Sequence, residues 1–70
     1  MGYYEPQWSA EEQTMIDLMQ IAGYFIKPDI NREYTDIYMY KDGVLTQRFR
    51  DDTEYGAIRK AFNSWSEHNA

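Results

Sequence analysis

Between Ser9 and Ala22 the apolar side chains Met15, Leu18, Met19 and Ala22 recur every three or four positions, while Gln13, Asp17 and Gln20 fall on the other side. That period predicts an amphipathic helix over 9–22 with its apolar stripe turned toward a core. Ser9-Ala10-Glu11-Glu12 marks its start as a capping box, in which the Ser9 hydroxyl and the Glu12 carboxylate satisfy each other's free backbone N–H groups. Its end has two readings. Gly23 can supply a left-handed terminating residue, or the helix can run on to Pro28. The β-prone trio Tyr24-Phe25-Ile26 favours the earlier end and a short strand over 24–27. The largely polar stretch from Lys27 to Glu33 then reads as a connecting loop.

From residue 34 to 50 the period changes to two, as a β-hairpin requires, with YMYKDGVLTQRF spanning the turn. A two-residue Asp42-Gly43 turn would pair Tyr40 with Leu45 and Tyr38 with Gln47, which splits the apolar residues between both faces. A three-residue Lys41-Asp42-Gly43 loop, with Gly43 as a left-handed bulge, pairs Met39 with Leu45 and Ile37 with Gln47. Ile37, Met39, Leu45 and Phe49 then share one face. Because a one-residue slip reverses every side chain, burial is expected to select this second register. Tyr38, Tyr40, Val44, Thr46 and Arg48 would form the outer face and are the candidate partner-binding residues.

Over 52–66 the helical period returns, with Tyr55, Ile58, Ala61, Phe62 and Trp65 in line. Either Asp51, with Glu54 completing a capping-box-like pair, or Asp52 is expected to cap this helix. Gly56, costly in a helix, marks an expected close packing contact. The N-terminal residues 1–8 read as an extended arm interrupted by Pro6, whose Tyr3, Tyr4 and Trp8 are suited to docking. The fold class expected is a small two-layer α+β domain spanning 1–70, in the order helix, short strand, hairpin, helix. Both helices pack on one face of an antiparallel sheet.

Composition narrows the chemistry. Seventy residues bury only about 60% of the surface their unfolded chain exposes, so the core is small. With no cysteine, disulfides and thiolate metal sites are excluded and a reducing, cytoplasmic setting fits best. Twelve aromatic residues supply bulk instead. No apolar run approaches the roughly 20 residues of a membrane span, no secretory leader is legible, and Pro6 occupies the position where a myristoylation signal needs Ser or Thr.

The net charge of −5 is uneven: residues 1–26 carry four acids and no base, 27–50 carry five bases against four acids, and 51–70 carry two against four. That balance opposes binding to polyanions.

No nucleophile beside a base, phosphate-binding glycine loop or metal-ligand spacing occurs. His68, the sole histidine, sits near an expected frayed end. Asp51, Asp52 and Glu54 lack the spacing of a calcium loop and read as capping residues. No catalytic, cofactor-binding or metal site is therefore expected, and no small-molecule substrate or membrane partner.

The helix, strand, hairpin, helix order resembles the αβββα layout of double-stranded RNA-binding domains. That family's basic cluster at the start of the last helix is replaced here by Asp51, Asp52 and Glu54, which would repel phosphate. The stretch from Ile37 to Trp65 also looks like the C-terminal end of thioredoxin-like proteins, without their cysteine pair. The functional expectation is a small acidic intracellular adaptor or regulator that binds another protein, or a second copy of itself. Its acidic helices could act on a basic surface, and its tyrosine-rich sheet face is the other contact surface. The alternative is a single-stranded nucleic-acid binder in which Tyr38 and Tyr40 stack bases beside Arg48.

Overall fold

The computed structural model describes residues 7–68. The expected arm falls outside the described residues except for Gln7 and Trp8, and Trp8 packs against the core. Five elements follow: α1 (Ala10–Ile21), β1 (Tyr24–Ile30), β2 (Thr35–Lys41), β3 (Val44–Asp51) and α2 (Glu54–His68). The strands form one antiparallel sheet in the order β1-β2-β3. Both helices lie against the same sheet face, giving the expected two-layer α+β domain.

The Ser9–Glu12 capping box is present, with both reciprocal bonds made at 2.8 and 3.2 Å. The helix ends as Gly23 takes up φ 101°, and its N–H donates to the Gln20 carbonyl at 2.9 Å. The buried stripe of α1 is Glu12, Met15, Ile16 and Met19. The expected stripe is thus rotated: Leu18 and Ala22 face solvent and Ile16 takes their place. The short strand expected over 24–27 is longer and includes Pro28, Asp29 and Ile30, part of the expected loop. Pro28 is accommodated because β1 is an edge strand, where a missing N–H need not interrupt the ladder.

The hairpin corrects the expected register. Asp42 and Gly43 form a two-residue turn, both with positive φ (54° and 78°), the backbone signature of the primed turns that match strand twist. Lys41 pairs with Val44 and Tyr40 with Leu45. A bulge at Thr46 then skips one residue, so that Met39 faces Gln47 and Ile37 faces Phe49. The extra position is needed for the reason foreseen, to bring Ile37, Met39 and Phe49 onto one face, but it sits in β3 rather than in the loop. Everything beyond Thr46 lies on its expected face, with pairing two residues further along. Val44 and Leu45, between turn and bulge, exchange faces, and Leu45 leaves the core.

The cap of α2 also differs. Thr53, rather than Asp51 or Asp52, occupies the N-cap: its hydroxyl accepts from Gly56 N–H at 2.9 Å and its carbonyl from Ala57 N–H at 3.1 Å. Asp51 accepts from the Thr53 backbone and hydroxyl and pairs with Lys60 at 3.1 Å. A Cβ at Gly56 would collide with the Asp51 carboxylate, which is the close contact that glycine was expected to mark. Ala57, Ile58 and Ala61 are the buried residues of α2, with Phe62 and Trp65 packed beside them. Tyr55 turns away from the core, and its hydroxyl donates to Glu11 of α1 at 2.7 Å.

The bulge makes a direct test available. Deleting Thr46 converts the ladder to a regular one in which Met39 still faces Gln47, so all pairings beyond it survive. The deletion variant is expected to fold, losing about 1 kcal/mol with the Thr46 hydroxyl to Met39 carbonyl bond. Urea unfolding and retention of Ile37–Phe49 nuclear Overhauser contacts are the measurements. A molten chain would show that the bulge itself, and not the register it sets, is required.

Candidate functional site

The helix-facing side of the sheet carries the core: Ile26, Ile37 and Met39 lie under Met15, Ile16, Met19, Ala57, Ile58 and Ala61. No helix or described segment covers the other side. Cross-strand partners project to the same side, so the pairing arranges this outer face in three rows. At the hairpin end run Phe25, Tyr40 and Leu45. The middle row is Lys27, Tyr38 and Arg48. The far row is Asp29, Asp36 and Arg50.

Of the five candidate residues, Tyr38, Tyr40 and Arg48 therefore share the outer face as expected. Val44 does not: it pairs with Lys41 on the opposite side, at the exposed tip of the hairpin. Thr46 is the bulge residue and donates to the Met39 carbonyl at 3.0 Å. Their places are taken by Leu45, 49% exposed, and Phe25, 60% exposed, with Lys27 beside them. Neither Phe25 nor Lys27 could be placed from the pattern, since their strand was legible only as a short fragment and its pairing with β2 not at all.

The hairpin-end row is apolar and open. The Phe25 and Tyr40 rings meet at 6.1 Å between centroids, tilted by 54°. They form the floor of an open cleft of about 310 Å³, bounded by the two positive-φ turns at Gly23 and Asp42-Gly43, with Lys27 at its margin. A second cleft of about 350 Å³ opens on the helix side, lined by Tyr24, Met39, Gln47, Trp65 and His68. His68 is engaged there, its Nδ1 lying 2.8 Å from the Ser64 carbonyl.

The far row is held by a charge pair that sequence reasoning missed. Asp36 is only 2% exposed although no helix covers it, because Arg50 closes over it. The guanidinium donates twice, from Nε at 2.9 Å and from an Nη at 3.0 Å, and its Cζ lies over the Tyr34 ring, 3.7 Å from the centroid. The hydrogen bonds from Arg50 hold the Asp36 carboxyl below the usual carboxylate range, against the opposing effect of burial, and the charges of Arg50 and Arg48 add to them. An opposite-charge pair across strands is a readable signal, but only once the bulge has set Asp36 against Arg50.

Among the described residues no group of three or more histidine, aspartate or glutamate side chains is placed to hold a metal ion. Among them, too, no helix is long and apolar enough to cross a membrane. Comparison of the chain with known protein families, with curated proteins and with solved structures found no match.

Because the folded carboxyl of Asp36 titrates lower than the unfolded one, its contribution to stability is complete above the ordinary aspartate value of 3.8 and is lost as pH falls through the depressed folded value. Asp51, lowered chiefly by the Thr53 N–H, acts in the same window. Denaturant unfolding followed from pH 6 to pH 2 is expected to show stability falling below about pH 4. Asp36→Asn should lower stability at neutral pH and flatten that acid-side slope. An unchanged slope would mean that the pair is formed equally in the unfolded chain.

Proposed function

We propose that this chain is a non-catalytic protein-binding module, an adaptor or regulator working in the cytoplasm, which meets its partner through the outer face of the sheet. The observation that supports this reading is the row Phe25, Tyr40 and Leu45. It leaves two large apolar side chains about half exposed on a sheet whose other face carries the core. A chain with so small a core gains nothing in folding from leaving them in water, and contiguous exposed apolar surface with a tyrosine and an arginine alongside has the composition of a contact surface.

The acidic helices offer less for a basic partner than their sequence suggests. Glu12 is buried in the capping box, Glu11 accepts from Tyr55 and Arg59, and Asp51 is engaged by Thr53 and Lys60. The exposed acids that remain include Asp17 in α1, Asp52 before α2 and Glu67 near the end of α2.

A second reading uses the same face for single-stranded nucleic acid, favoured by Tyr38 between Lys27 and Arg48. Two features weigh against it. The Tyr40 ring is already met by Phe25, and the Arg50 guanidinium is already spent on Asp36 and Tyr34.

Affinity capture with the wild-type chain and with Tyr40→Ala/Arg48→Ala, Phe25→Ser/Leu45→Ser and Asp17→Asn/Glu67→Gln variants tests the assignment. The exposed Phe25, Leu45, Asp17 and Glu67 substitutions should each change stability by only about 0.5 kcal/mol. Specific retention is expected to vanish in both sheet-face variants and to persist in the helix variant. The reverse pattern would move the contact surface to the helices.

A further inference from the structure

The chemistry of the partner can be read from the charge on the outer face. Three cations meet two acids there, in a protein whose net charge is −5. Asp36 is consumed by Arg50. Arg48 senses Asp36 only through space, and neither Lys27 nor Arg48 forms an ion pair with any described residue. The middle row thus carries two cations that lack an ion-pair partner among the described residues, on either side of Tyr38, with Asp29 as the next same-face residue to Lys27. One row away, on the same face, lies the apolar cleft floored by Phe25 and Tyr40, with Lys27 common to both.

We infer that the outer face binds an acidic segment of a partner protein carrying one large apolar side chain. That side chain seats over Phe25 and Tyr40, between the Gly23 and Gly43 turns, while carboxylates near it in sequence engage Lys27 and Arg48. This rests on the reading of the outer face as the contact surface and assigns its ligand class. Successive same-side residues of an extended segment, and residues three or four apart on a helix, are separated by roughly 5–7 Å. Neighbouring same-face positions along β1 have that same two-residue separation, so an apolar residue and a carboxylate at such spacing match the two rows. A cleft of about 310 Å³ has room for a leucine or an aromatic ring. The large net negative charge does not exclude an acidic ligand, because charges more than about 8 Å away are screened at physiological ionic strength.

The test uses ¹⁵N-labelled full-length protein and three labelled decapeptides, each with a central tryptophan or its replacement. One is flanked by aspartates and glutamates, one has those residues changed to their amides, and one keeps the acids with serine at the centre. A basic tryptophan peptide and a dT10 oligonucleotide are run beside them. The acidic tryptophan peptide is expected to shift the amides of β1 and β2 around Phe25, Lys27, Tyr38 and Tyr40, and to weaken as salt rises. Its affinity should drop roughly ten-fold or more with the amide peptide, with the serine peptide, and with Lys27→Ala or Phe25→Ser protein.

If the basic or amide peptide perturbs the same amides with equal affinity, the acidic-ligand inference fails while the outer face stands as the contact surface. If the peptides perturb only helix amides, that reading fails and the inference with it. Preferential binding of dT10 to the sheet would replace a protein segment with nucleic acid as the ligand. Concentration-dependent shifts of the same face without any peptide, with a dimer mass by light scattering, would make a second copy the occupant.

Discussion

The structure turns on a conflict of parity. A two-residue Asp42-Gly43 turn suits the twist of the strands, yet continued regularly it would put Phe49 on the opposite face from Ile37 and Met39. One extra residue at Thr46 reconciles the turn with the core. The position of Phe49 in the core, the pairing of Asp36 with Arg50 and the place of Leu45 beside Tyr40 all follow from where that residue is inserted. Had it sat in the loop, Leu45 would have been drawn inward and the outer face would have lost the apolar half of its hairpin-end row.

The outer face also shows how a small protein can hold together a sheet side that no described segment covers. Asp36 lies buried near the start of the central strand, where a carboxylate without a partner would be costly. Arg50 meets it with two hydrogen bonds and is itself flattened against Tyr34, so that a side chain still half in solvent shields a fully buried one. One end of the face is thereby closed by polar contacts made within the sheet. The hairpin end has no such internal closure.

The order of elements was legible because each carried a local signal: the Ser9–Glu12 box, the change of period near residue 34, and the return of helical spacing after Asp51. The faces of β2 and of the end of β3 were legible for the same reason, since Ile37, Met39 and Phe49 had to be buried together. What could not be read depended on contacts distant in sequence. Pro28 and Asp29 look like loop residues until β2 pairs with them, and Ile16 replaces Leu18 in the core because packing against the sheet and α2 selects the Glu12, Met15, Ile16 and Met19 face of α1. The bulge was misplaced because glycine is the strongest local marker for one, whereas Thr46 holds it through a bond to Met39 that no pattern announces. Of the candidate site, Tyr38, Tyr40 and Arg48 followed from period alone. Phe25, Lys27 and Leu45 needed the sheet.

Pro28 has one more effect. It lies in the strand bordering the sheet on one side, while the kink at Thr46 lies in the strand bordering it on the other. The first withholds a donor from any additional strand, and the second bends the row of free amides that such a strand would need. Neither border is a good template for polymerisation, which guards a chain that shows phenylalanine and leucine to water against growing sideways into a fibril.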